Sequence, residues 1–90
     1  MRIDVFLHKV CLLRSRTLAG EACDRGRVRV NGAPVRASRL VHPGDEIAAD
    51  FGSGLFEIEV LAVPEGNVAR KDAPDYYRIL RDERNSRPIF

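Results

Sequence analysis

Ninety residues, 44% of them hydrophobic and 31% charged, are enough for one small globular domain with a modest core and too ordered a composition for a disordered tail. No apolar run approaches the roughly 20 residues that span a bilayer, and Asp4, His8 and Lys9 break up the apolar N-terminus, so no secretory signal pattern is present and the expected location is the cytoplasm. The net charge of +2 conceals segregation: positions 1–39 carry nine basic against three acidic residues (+6), positions 40–66 six acids and no Lys or Arg (−6), and positions 67–90 six against four (+2).

Ile3, Leu7, Val10 and Cys11 recur at helical spacing and predict a first helix running to about Leu13, with Asp4 as its N-cap. Arg14-Ser15-Arg16-Thr17 interrupts it. Ser15 is the natural cap of a second helix that turns Leu18, Ala19, Ala22 and Cys23 inward and stops at a left-handed Gly26. Two short helices around a tight polar turn make an αα-hairpin.

The period then changes to two. Arg27-Val28-Arg29-Val30 alternates polar with apolar, and Asn31-Gly32 behind it is a strong signal for a type I′ hairpin turn into a partner strand over 33–37. His42-Pro43-Gly44-Asp45 is a turn, 46–51 a strand, and Gly52-Ser53-Gly54 a second turn. A strand over 55–63 follows, with Phe56, Ile58 and Val60 alternating against Glu57 and Glu59, and then a loop over 64–72. Asp75 to about Arg84 reads as a last short helix with Tyr76, Ile79 and Leu80 as its inner stripe, followed by a frayed tail over 87–90. The class is therefore α+β: a helix-turn-helix hairpin packed on a small antiparallel sheet, with a short C-terminal helix.

Cys11 and Cys23, with only His8 and His42 as further soft ligands, do not make a zinc pattern, and both are expected in the core of a reduced protein. No cofactor or metal is expected. The histidines have no nucleophile partnered with them, and Asp45-Glu46 and Asp82-Glu83 read as solvated surface, so the chain is not expected to be an enzyme. A polyanion partner fits better. Thirteen of the fifteen basic residues are Arg, whose planar fork suits phosphate. Arg14 and Arg16 flank the start of the second helix, where free N–H groups favour an anion. Arg27 and Arg29 share one strand face, and Arg2, Arg36 and Arg39 come from neighbouring segments. Tyr76 and Tyr77, the candidate stacking aromatics, lie outside the basic half, which favours folded RNA read by shape over single strands. The acidic stretch 45–65 is expected to be solvated.

Arg2-Ile3-Asp4-Val5-Phe6-Leu7, Ser15-Arg16-Thr17-Leu18-Ala19, the block from Gly26 to Gly32 and Pro43-Gly44-Asp45-Glu46-Ile47 occur in that order. This series resembles the alpha-L RNA-binding motif, the domain named after ribosomal protein S-four, over residues 2–47. On that resemblance 48–72 adds strands and a loop to a single domain, and 73–90 adds the C-terminal helix and tail. The resemblance implies RNA contacts at Arg2, Lys9, Arg14, Arg16, Thr17, Arg27 and Arg36, joined by Arg29 on its strand face. Asp4 corresponds to the motif's acidic residue, placed to cap the first helix and orient Arg2. The second half, ending Ala73-Pro74-Asp75-Tyr76-Tyr77-Arg78-Ile79-Leu80, is similar to the stand-alone RqcP family, relatives of the heat-shock fifteen-kilodalton ribosome-associated protein without its long basic extension. That similarity implies a monomer on obstructed large ribosomal subunits, touching rRNA and peptidyl-tRNA and supporting C-terminal alanine tailing beside the tailing factor. The alternative is a free-standing rRNA-binding factor of the heat-shock recycling type. A third reading, the targeting domain of an RNA-modifying enzyme, would need a longer reading frame.

Overall fold

The period-two segments form one antiparallel sheet of order β2-β1-β3-β4-β5, in a computed structural model that describes residues 1–50 and 54–83. Its strands are β1 (Val28–Val30), β2 (Ala33–Pro34), β3 (Glu46–Asp50), β4 (Leu55–Val60) and β5 (Tyr77–Asp82). Register follows the apolar pattern, with Val28 opposite Ala49, Val30 opposite Ile47, and Ile47 opposite Ile58. One face therefore collects Val28, Val30, Ile47, Ala49, Phe56, Ile58 and Val60, all buried. Asn31 (φ 52°) and Gly32 (φ 89°) both take the left-handed backbone of the expected hairpin turn. The partner strand is shorter than 33–37: beyond Pro34 a single bond remains, from the Val35 N–H to the Val28 carbonyl (3.4 Å).

Two helices cover that face. Helix α1 (Ile3–Lys9) buries Ile3, Phe6 and Leu7, and helix α2 (Arg16–Asp24) buries Ala19 and Cys23. Fully burying a side chain the size of Phe6 or Phe56 contributes about 1.5–3 kcal/mol relative to leaving it exposed. Helix α1 ends four residues before the expected Leu13. Cys11 takes a left-handed backbone (φ 63°), its N–H donates to the His8 carbonyl (3.0 Å), and the Leu12 N–H donates to Leu7 (3.0 Å). This is a Schellman stop, and it folds Leu12 and Leu13 back against the core. It also turns Cys11 out to solvent, so the expectation of two core cysteines holds for Cys23 alone. Helix α2 ends in the same motif with Gly26 (φ 73°) in the left-handed position, as expected. Leu18, expected inside, is 45% exposed, because it lies on the flank of α2 that the sheet does not reach.

Among the described residues the expected C-terminal α-helix does not form. A 3-10 helix over Arg70–Tyr76, with Pro74 inside it, leads into β5, which pairs with β4 through Val60–Tyr77 and Ile58–Ile79 and shifts register between Glu57 and Ile58. The outer edge of β4 has backbone groups that need partners, and a Tyr- and Ile-containing segment suits a pleated ribbon. Sheet pairing thus overrides the helical spacing of Tyr76, Ile79 and Leu80. Ile79 and Leu80 are consequently 52% and 42% exposed. The expected turn at Gly52-Ser53 and the tail from Arg84 lie outside the described residues.

Candidate nucleic-acid interface

The site is built from the start of α1. The first four N–H groups of a helix need partners from outside it. Here Ile3 N–H donates to the Arg39 carbonyl (2.7 Å) and Asp4 N–H to Ala37 (3.3 Å), while Val5 N–H donates to the Asp4 carboxylate (2.7 Å). The segment 37–41, antiparallel to the N-terminus through the Arg2–Leu40 bridge, does the capping that the sequence assigned to Asp4. Arg2 occupies the cap position instead, and Asp4 is the second helical residue.

That frees one carboxylate oxygen. Asp4 Oδ2 accepts from Arg2 Nη2 at 3.1 Å and from Arg16 Nε at 3.3 Å. The Asp4 side chain is only 5% exposed, whereas those of Arg2 and Arg16 are 43% and 56% exposed. An unpaired carboxylate at that depth would be strongly destabilising; two arginines and a backbone N–H compensate it. Arg16 is in reach because Ser15 starts α2 beside α1, its Oγ accepting the Leu18 N–H at 3.1 Å. Thr17 follows on the exposed first turn. The same segment carries exposed Arg39 to the Arg2 side and follows directly on exposed Arg36, and Ala37 Cβ would lie 3.8 Å from a Cβ at Gly20 of α2. Arg2, Asp4 and Arg16 are thus brought together, with the backbone of Arg39 beside them.

The other expected positions are elsewhere. Arg29, between buried Val28 and Val30, stands on the outer face of the sheet, whereas Arg27, just before β1, lies at the rim, where it also lines a small depression with Leu18, Glu21 and Ala22 of the hairpin. Both arginines line a shallow cleft of about 580 Å³ with Arg25, Glu46, Asp50 and Glu57, over a floor that includes Leu55 and Leu80. The acidic stretch therefore contributes to a mixed-charge cleft as well as to solvated surface. Lys9 Nζ donates to the Gly66 carbonyl and to Asn67 Oδ1, both at 3.3 Å, tying the end of α1 to the loop after β4. Exposed Arg14 lines a shallow depression with His8, Cys11 and Arg70. Arg25 and Arg70 were not among the expected contacts. Arg25 was legible in the run Arg25-Gly26-Arg27-Val28-Arg29, but Arg70 reaches the hairpin only through the tertiary fold.

Of the two thiols, Cys23 is held pushed up to about 11 by burial, with the carboxylates of Asp4 and Asp24 adding to the effect, and is chemically inert. Among the described residues no group of His, Cys, Asp and Glu is arranged to hold a metal ion, and no helix is long and apolar enough to cross a membrane.

The chain as a whole is similar to known proteins. The S4-domain family profile matches residues 1–47. The RQC P-site tRNA stabilizing factor of Halalkalibacterium halodurans is 39% identical over 92% of this chain and 93% of that protein. The Bacillus subtilis factor of the same name is 38% identical over 93% of this chain and 96% of its own length, and the Helicobacter pylori one 42% identical over 84% and 92%. The trimeric structure of Vibrio cholerae heat shock protein 15 superposes with a TM-score of 0.84 at 23% identity, over 92% of this chain and 84% of that one, which is a likeness of fold. The solution structure of a protein described as hypothetical gives 0.78 at 39% identity, over 92% and 100%. The chain belongs to the S4-domain family, and within it to the family of the RQC P-site tRNA stabilizing factors.

Proposed function

We propose that this chain is a non-enzymatic RNA-binding factor of ribosome-associated quality control, acting in the cytoplasm as a monomer on the large ribosomal subunit. The observation that carries the reading is the end-to-end match to relatives named for stabilizing a P-site tRNA. The geometry supports it, since Arg2 and Arg16 stand together at the start of the hairpin with their guanidiniums exposed, and Arg36 is exposed as well. In this reading Arg2, Arg14, Arg16, Thr17 and Arg36 contact rRNA, with Asp4 behind Arg2 and Arg16. Each phosphate neutralised by an arginine steepens the salt dependence of binding by roughly one unit of log affinity per unit of log salt. Lys9, Arg27 and Arg29 contribute from outside this cluster, and the peptidyl-tRNA is met at its edge. By holding the tRNA in place the protein supports C-terminal alanine tailing of the stalled chain by a tailing factor on the same subunit.

Sedimentation tests this. In a sucrose gradient of cell lysate at moderate salt the protein is expected with free large subunits and released at high salt, with peptidyl-tRNA in the same fractions. A position at the top of the gradient even at low salt refutes the ribosomal reading.

A further inference from the structure

We propose that the shallow depression at the C-terminal end of α1, between Arg14 and Arg70, is a second phosphate-binding site that takes the backbone of an RNA strand. The inference rests on the RNA-binding reading above and adds to it a contact from Arg70, which lies beyond the residues matched by the S4-domain profile.

Two segments distant in sequence build the site. The Schellman stop at Cys11 turns the chain back, with the Leu12 and Leu13 N–H groups both donating to the Leu7 carbonyl (3.0 and 3.1 Å). Half-buried Leu12 and Leu13 thereby floor a depression of about 330 Å³, and Arg14 stands exposed on its rim. Arg70, also exposed, opens the 3-10 helix on the other side. Its backbone is anchored on both flanks. Ahead of it Lys9 Nζ donates to the Gly66 carbonyl and to Asn67 Oδ1, and behind it Ala73 is buried in the core.

Charge decides what the depression takes. Its lining of His8, Cys11, Leu12, Leu13, Arg14 and Arg70 contains no carboxylate, and among the described residues neither guanidinium has an ion-pair partner. Arg25, Arg27 and Arg29, by contrast, share their cleft with Glu46, Asp50 and Glu57, where an anion meets as many acids as bases. Arg14 and Arg70 each keep five N–H donors for a ligand. Two uncompensated cations on one depression repel each other, and a phosphate between them relieves that repulsion as it binds. With both backbones anchored, only the side chains must be ordered on binding.

The probe is the purified bacterial large ribosomal subunit, taken vacant and carrying peptidyl-tRNA, with binding measured over a range of salt. Arg70→Ala is expected to weaken binding about two- to fivefold, the range for one exposed ionic contact. It should also lower the salt slope by about one unit, and Arg70→Glu should weaken binding further. Arg78→Ala controls for net charge. It removes the same charge from β5, where Arg78 already bridges Glu59, and should change affinity by less than about twofold. Arg70 is exposed and holds no bond that its variants would break, so their thermal unfolding should match wild type and the loss reads as a lost contact. Weakening on both kinds of subunit assigns the depression to rRNA phosphates, and weakening only where tRNA is present assigns it to tRNA phosphates; either supports the site. If affinity or salt slope moves no more for Arg70→Ala than for Arg78→Ala on both kinds, the site is overturned, and salt-sensitive binding by wild type leaves the RNA-binding reading standing. A wild-type chain that binds neither kind overturns that reading itself.

Discussion

Cys11→Gly is expected to stabilise the protein, although it deletes a side chain. Cys11 takes a left-handed backbone (φ 63°) at the stop of α1, where a non-glycine residue sits at a cost of about 1–2 kcal/mol. Glycine removes that cost but loses about 0.5–1 kcal/mol more backbone entropy on folding. The Cys11 side chain is exposed, and its one recorded polar contact is a weak 3.9 Å approach of Sγ to the Lys9 carbonyl, so almost no packing is lost. The balance favours glycine by about 0.5–1 kcal/mol, which for a domain of this size raises Tm by about 3–6 °C. Gly26→Ala is the mirror experiment. The same motif ends α2 with Gly26 at φ 73°, and a Cβ there meets no atom within 4 Å, so the change acts through the backbone alone. It should lower stability by a similar amount. Thermal and urea unfolding of both variants under reducing conditions, followed by circular dichroism, measures the pair. If Cys11→Gly is destabilising, or the two variants move in the same direction, the left-handed assignment at Cys11 or the exposure of its side chain is wrong.

The raised Cys23 thiol makes a pH prediction. Between pH 9 and 11 the thiol of the unfolded chain ionises while the folded one keeps its proton, so the unfolded state binds fewer protons and stability falls as pH rises. The stability gap between wild type and Cys23→Ala should therefore shift in favour of the variant by about 2 kcal/mol from pH 8 to 11; a constant gap would sink the argument. The strand identity of β5 is tested by Leu80→Ala. On an exposed edge strand it should cost under about 1 kcal/mol, while Phe56→Ala in the core should cost about 3–5 kcal/mol by equilibrium denaturation. Equal losses would restore the buried helical stripe that the spacing suggests.

Local rules were enough for some features. Ser15 capping α2, Gly26 ending it, the Asn31-Gly32 hairpin, and the inward alternation of Phe56, Ile58 and Val60 each depend on interactions within a few residues, so the sequence alone determines them. The linked motif blocks also led to the family. Tertiary structure decided the rest. Asp4 has an N-cap's chemistry, but carbonyls from Arg39 and Ala37 cap α1 and turn its carboxylate toward two arginines. The segment Tyr77–Asp82 carries helical spacing, but the open edge of β4 draws it into the sheet. Arg29 belongs with Arg2 and Arg16 by charge along the chain, yet the burial of Val28 and Val30 on either side sends it to the opposite face. In each case backbone groups distant in sequence needed partners, and a requirement imposed from a distance cannot be read from local periodicity.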